Sequence, residues 1–117
     1  MGAEIQGIGT NKILIEGKRD LNADIEFSII PDRIEAGTFL IAGAITSGNI
    51  RLKKVNPDHL EIIINYLNKA GFKLDVGFDY IEIEPRNKSI LPVNITTATY
   101  PGFPTDLQAQ WMALMTK

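Results

Sequence analysis

The residues best placed to do chemistry lie near the carboxyl end, in Tyr100-Pro101-Gly102-Phe103-Pro104-Thr105-Asp106-Leu107-Gln108-Ala109-Gln110. Pro101, Gly102 and Pro104 make the first part a stiff loop that is neither strand nor helix, because each proline fixes φ and removes an N–H donor. The loop delivers Thr105 and Asp106 to the start of a helix, whose buried face is expected to be Leu107, Trp111, Leu114 and Met115. Two readings stay open. The commoner role of a Thr or Asp at such a position is to cap the helix. The sharper one is that a costly, over-specified loop holds a carboxylate at a cleft, where it binds a hydroxyl or takes its proton.

Other candidates are weaker. His59, the lone histidine, is expected as a solvated residue in the first turn of a helix, without a partner to make a site. Arg33 could approach a phosphate, but it follows a helix cap, and a surface pair with a glutamate is favoured. Gly7-Ile8-Gly9 begins like a dinucleotide loop yet lacks the third glycine and the following helix, so it reads as a turn. Lys53-Lys54 is a solvated strand end. The acids at 79, 82 and 84 point outward without the convergence of metal ligands.

Composition bounds the rest. The chain has 117 residues, enough for one domain, with 44% hydrophobic and 22% charged residues. A net charge of −2 and the lack of a basic run argue against affinity built on neutralising nucleic-acid phosphates. With no cysteine, disulfides, thiolate zinc sites and a catalytic thiol within the chain are excluded. Neither a metal nor an organic cofactor is expected. Met1 to Glu4 lacks the basic and apolar regions of a signal peptide, and Phe39 to Ile45 is far short of a membrane span, so a cytoplasmic protein without membrane contact is expected.

The periodicity then places the elements. Ile5 to Ile8 and Ile13 to Ile15 flank Gly9-Thr10-Asn11-Lys12, which suggests a hairpin or two short strands. Asp24 to Ile29 alternates strictly and predicts a strand with Ile25, Phe27 and Ile29 on one face. Asp32 is a good N-cap with Glu35 completing a capping box. Behind it Ile34, Thr38, Ile41, Ala42 and Ile45 share a helical face widened by Leu40 and Ala44, and Ser47-Gly48-Asn49 ends the helix. Ile50 to Lys53 alternates as a strand. Asn56-Pro57-Asp58 opens a second helix with the stripe Leu60, Ile63, Ile64, Leu67 and Ala70, terminated by Gly71. Residues 72–76 and 80–84 read as a strand pair around Gly77-Phe78-Asp79, and Val93 to Thr97 starts another strand before the Asp106 helix. The second cycle resembles the first restarting, which predicts an internal repeat.

Residues 100–110 resemble the signature of the UDP-N-acetylglucosamine 1-carboxyvinyltransferase (UDP-GlcNAc enolpyruvyl transferase) family. Pro31-Asp32-Arg33-Ile34-Glu35-Ala36-Gly37-Thr38-Phe39 and Pro57-Asp58-His59-Leu60 resemble it at the right separation, so the likeness covers nearly the whole chain. Thr99 departs from the family's usual proline just before the loop. The resemblance implies an α/β (α+β) fold of the EPSP synthase type, an inside-out α/β barrel assembled from βαβαββ units. On that view residues 1–117 form a single partial domain, 24–84 are one complete unit and 93–117 begin the next.

It also implies transfer of enolpyruvyl from phosphoenolpyruvate to the 3′-hydroxyl of UDP-N-acetylglucosamine, the first committed step of bacterial peptidoglycan synthesis, with release of phosphate through a tetrahedral intermediate. Asp106 would then be the catalytic carboxylate contacting that hydroxyl, with Thr105 beside it in sugar-nucleotide binding. The family's phosphate-binding Lys and Arg residues and its mobile Cys loop have no match here. The chain is therefore expected to be an excised piece, inactive alone, whose uncovered faces can drive self-association. The competing readings are the shikimate-pathway enolpyruvyl transferase and a non-catalytic interaction module with the same fold unit.

Overall fold

A computed structural model of the chain describes residues 2–22 and 24–117. At the start, β1 (Glu4–Gln6) and β2 (Leu14–Glu16) pair antiparallel with Ile5 opposite Ile15. The turn between them is closed by Thr10, whose N–H and hydroxyl both donate to the Gly7 carbonyl, at 3.0 and 2.7 Å. This is the expected hairpin. Its strands are exposed along their whole length.

Asp24 to Ile29 departs from expectation. It joins no ladder among the described residues, and Phe27 and Ile29 are 76% and 87% exposed. Alternation encodes a half-buried strand, but a strand needs a partner and a cover, and this segment finds neither within the chain. Val93 to Thr97 likewise forms only one bridge among the described residues, Thr97 to Phe103.

The remaining order, helix, strand, helix, strand, strand, runs as expected. α1 (Arg33–Thr46) begins where the Asp32 carboxylate accepts from the N–H groups of Ile34 (2.7 Å) and Glu35 (3.3 Å). Glu35 does not return the bond among the described residues, so the capping box stays half made. Ser47 in the left-handed region (φ 53°) ends the helix, with Gly48 N–H donating to the Gly43 carbonyl at 3.0 Å.

β3 (Ile50–Lys53) follows, then a single 3-10 turn, Pro57–Leu60, capped by the Asn56 side chain, which accepts from Asp58 N–H at 3.1 Å. It runs into α2 (Glu61–Lys69), which Gly71 terminates at φ +92°. β4 (Leu74–Val76) and β5 (Tyr80–Ile83) complete a three-stranded antiparallel sheet in the order β3-β5-β4, with Ile50 opposite Ile83 and Leu74 opposite Ile83 on the other side. The last element is α3 (Gln108–Leu114), entered through a 3-10 turn at Thr105–Leu107.

The core lies between the three helices and the inner face of the sheet: Leu40, Ile41 and Ala44 of α1, Leu60, Ile63 and Leu67 around α2, Ile81 and Ile83 of β5, and Phe103, Leu107, Trp111 and Leu114 near the carboxyl end. The stripe of α2 is the expected one, with Ile64 only half-buried. The face of α1 is rotated from expectation. Ala36, Gly37, Leu40, Ile41, Gly43 and Ala44 are buried, whereas Ile34, Thr38, Ala42 and Ile45 are partly open. Two glycines explain the rotation. A β-carbon on Gly43 would stand 2.9 Å from Ile83 Cγ2, and one on Gly37 would stand 2.6 Å from Leu107 Cδ1. Hydrogen at those positions lets the helix backbone lie directly against the sheet on one side and the Asp106 segment on the other.

Candidate functional site

The loop before Asp106 is built from its own backbone outward. Ala98 N–H donates to the Phe103 carbonyl at 2.9 Å, and Gly102 N–H donates to the Thr99 carbonyl at 2.8 Å, closing a tight turn with Tyr100 and Pro101 at its corner. A β-carbon on Gly102 would meet Ala98 Cβ at 2.6 Å, so the crossing chain requires glycine there. Phe103 then turns inward. Its ring stands edge-on to Tyr66 and to Trp111, each 5.6 Å away, and Tyr66 closes the triangle to Trp111 at 5.8 Å. The Trp111 indole N–H donates to the Val93 carbonyl at 3.3 Å, tying α3 to the incoming chain.

On the far side Leu107 is fully buried against Gly37. Two buried anchors, Phe103 and Leu107, therefore bracket Pro104, Thr105 and Asp106. Thr105 and Asp106 themselves are exposed. This fixes the backbone position of the carboxylate while leaving the group itself in solvent.

The capping reading fails. The 3-10 turn starts on Pro104, and neither Thr105 nor Asp106 accepts a capping hydrogen bond; the turn is closed by main chain, Leu107 N–H to the Pro104 carbonyl at 3.2 Å. The Asp106 carboxylate has no hydrogen-bond or ion-pair partner among the described residues. Its acceptor capacity is unused.

A cleft of about 300 Å³ opens beside the loop, lined by Arg33, Thr97, Thr99, Tyr100, Thr105 and Asp106 among others. It holds one carboxylate, one guanidinium and three threonine hydroxyls. Such a set suits a ligand with both hydroxyl and anionic groups. A larger groove of about 920 Å³ runs between residues 93–97 and α3, past Trp111, Met112 and Met115, but no ionisable side chain lines it.

Two further sequence expectations are corrected, and one residue gains a role. Arg33 makes no ion pair among the described residues; its guanidinium instead lies over the Tyr100 ring, 5.4 Å from the centroid. His59 is half-buried rather than solvated, and its Nε2 lies 3.1 Å from Asn56 Nδ2. Because Asn56 Oδ1 already accepts from Asp58 N–H, the amide must donate, which makes His59 Nε2 the acceptor. Gln110, within the motif but without an assigned role, reaches across to α1, its Nε2 donating to Thr38 Oγ1 at 3.1 Å. The approach of Arg33 to Tyr100 and the contact of Gly37 in α1 with Leu107 had no signal in local periodicity. Both join segments remote in the chain.

The comparisons with known proteins match this architecture. The family model described as EPSP synthase (3-phosphoshikimate 1-carboxyvinyltransferase) matches residues 1–117. Among curated relatives, proteins named UDP-N-acetylglucosamine 1-carboxyvinyltransferase are 52% identical in Campylobacter jejuni and 50% identical in Aliarcobacter butzleri, each over 99% of this chain and 28% of the relative. One from Xylella fastidiosa is 45% identical over 97% of this chain and 27% of the relative. The chain thus spans a little over a quarter of the length of the relatives it matches. The crystal structure of the enolpyruvyl transferase NikO from Streptomyces tendae superposes with a TM-score of 0.76 at 25% identity, over 97% of this chain and 28% of that one. Sequence and architecture agree, and the chain belongs to the EPSP synthase family of enolpyruvyl (carboxyvinyl) transferases.

Proposed function

We propose that this chain supplies the hydroxyl-activating acid of a UDP-N-acetylglucosamine 1-carboxyvinyltransferase, with Asp106 as the catalytic group and Thr105 beside it in sugar-nucleotide binding. The observation that carries the reading is the Asp106 carboxylate itself: bracketed by two buried anchors, set in a polar cleft and free of internal partners.

In the reaction, the 3′-oxygen of the sugar bonds to C2 of phosphoenolpyruvate as its proton passes to Asp106 and an acid protonates C3. The tetrahedral adduct then loses a C3 proton and the C2–phosphate bond breaks, restoring the vinyl group and releasing phosphate. A positioned base accelerates such a step by about 10²–10⁴-fold. The acid that protonates C3 comes from outside these residues, so the 117-residue chain alone is inactive on this reading.

Residues 24–84 are read as one βαβαββ unit and 93–117 as the start of the next, with Asp24 to Ile29 gaining its sheet partners in a larger assembly. The setting is cytoplasmic peptidoglycan synthesis. The 45–52% identity to relatives of that name favours the nucleotide sugar over shikimate 3-phosphate as acceptor.

The test is phosphate release by the natural polypeptide that carries this chain, before and after Asp106→Asn, with phosphoenolpyruvate and either UDP-N-acetylglucosamine or shikimate 3-phosphate. The expected result is turnover with the nucleotide sugar alone and a loss of about 10²-fold or more in the variant. Unchanged turnover in the variant refutes the role of Asp106; turnover with shikimate 3-phosphate refutes the substrate; none with either favours an interaction module.

A further inference from the structure

Arg33 is the feature that the proposed chemistry leaves unexplained. It is half-buried at the first position of α1, yet none of its N–H donors finds an acceptor among the described residues. The comparison with other arginines is informative. Arg51 also lies over a tyrosine, 3.8 Å from the Tyr80 centroid, but donates to Glu82 at 3.2 Å. Arg86 lies over Phe72 and donates to the carbonyls of Lys88 and Ser89 at 3.1 and 2.6 Å. Both donate to acceptors inside the chain, and Arg33 does not among the described residues.

Two acids adjoin it in sequence, and neither pairs with it. Asp32 is engaged in capping α1, and Glu35, two residues on, is exposed. The Tyr100 ring lies beside the guanidinium, its centroid 5.4 Å away. A guanidinium so placed keeps its N–H groups free at the edge, and their planar fork matches a carboxylate or phosphate oxygen pair. Arg33 lines the same cleft as Asp106.

We propose that Arg33, positioned by Tyr100, is an anion-binding residue of the Asp106 cleft, taking phosphate or carboxylate oxygens of the molecule whose hydroxyl or vinyl group reacts there. The inference rests on the reading of Asp106 given above. The cleft then offers complementary ends: an acceptor for a hydroxyl and a donor fork for an anion. Two sources fit that chemistry, the diphosphate of the nucleotide sugar and the phosphate or carboxylate of the three-carbon donor.

The experiment uses the natural polypeptide and measures the KM of each substrate separately in Arg33→Gln, Arg33→Lys and Tyr100→Leu. Arg33→Gln is expected to raise the KM of one substrate by about tenfold or more, the scale of a lost charge-assisted hydrogen bond. Arg33→Lys should restore part of the loss, since it keeps the charge but not the fork, and Tyr100→Leu should raise the same KM by a smaller factor. A rise confined to UDP-N-acetylglucosamine identifies the diphosphate as the anion, and one confined to phosphoenolpyruvate identifies the donor. Where Arg33→Gln does not fold, Arg33→Met, which keeps the aliphatic stem over the ring, takes its place.

Both KM values within twofold of wild type overturn the proposal, as does an equal rise in both accompanied by a lowered melting temperature. Asp106→Asn run alongside separates the two readings. Lost turnover there with unchanged KM values in the Arg33 variants defeats this inference alone, whereas retained turnover defeats the reading beneath it.

Discussion

The placement of Asp106 depends on the aromatic triangle, and a double-mutant cycle measures that dependence. Phe103→Leu keeps an apolar side chain at a buried position but removes two edge-on ring contacts, to Tyr66 and to Trp111. At about 0.5–1.5 kcal/mol for each aromatic pair, it should destabilise the chain by about 1–3 kcal/mol. Tyr66→Leu also removes two such contacts, and with them the Lys69 ammonium seated 5.1 Å above the ring. The Lys69 contact cancels in the cycle because it does not involve Phe103. What survives is the coupling between rings 5.6 Å apart, expected at about 0.5–1.5 kcal/mol. Urea unfolding of the wild-type chain, the two single variants and the double variant, followed by tryptophan fluorescence of Trp111, supplies the four free energies. Coupling below about 0.3 kcal/mol, the ordinary error of additivity, would show that the rings merely fill space and that the loop is held by something else.

The remaining predictions concern a cap and a phenol. Asp32→Ala removes the acceptor for two N–H groups at the start of α1 and is expected to lower stability by about 0.5–2 kcal/mol in the same unfolding assay. The Tyr80 phenol should titrate above its ordinary value of 10.0, chiefly because its hydroxyl donates to Asp75 at 3.0 Å and then because that carboxylate opposes a second negative charge; nearby Arg51 acts in the opposite direction. The phenol's contribution to stability is thus present below the unfolded value and lost as pH rises through the folded one. Asp75→Asn should move the ultraviolet titration of Tyr80 downward, and an unmoved midpoint would contradict the assigned cause.

Local chemistry was legible in the sequence wherever the determinant was itself local. The Asp32 cap, the Asn56-Pro57 start of the 3-10 turn leading into α2, the α2 apolar stripe and the Gly71 stop depend on residues within a turn or two of one another. The loop at 100–105 was legible for the same reason, since prolines and Gly102 restrict their own backbone. The buried face of α1 was not. Periodicity weighs apolar side chains, whereas Gly37 and Gly43 are buried because they have none. Asp24 to Ile29 shows the opposite limit: a pattern can specify which face a strand would hide, but pairing is a property of the neighbour as well.

At the site, the identity of Asp106 was visible from its loop, and its freedom from capping duty was not, because that turns on whether main chain or side chain closes the turn. Arg33 was visible as a residue that could approach a phosphate, but its surroundings were not, for a related reason. Its acidic sequence neighbours suggested a surface pair, and only the fold brings Tyr100 to it.

The uncovered run from Ile25 to Ile30 has a consequence for the behaviour of the isolated chain. Its apolar teeth, Ile25, Phe27, Ile29 and Ile30, stand in water with backbone donors and acceptors unmatched by any ladder among the described residues. Such a comb is a template on which other extended chains stack, and Asp24 and Glu26, interleaved along it, act as gatekeepers through mutual repulsion. Replacing both charges, as in Asp24→Asn with Glu26→Gln, would leave nothing in the run to oppose edge-to-edge stacking.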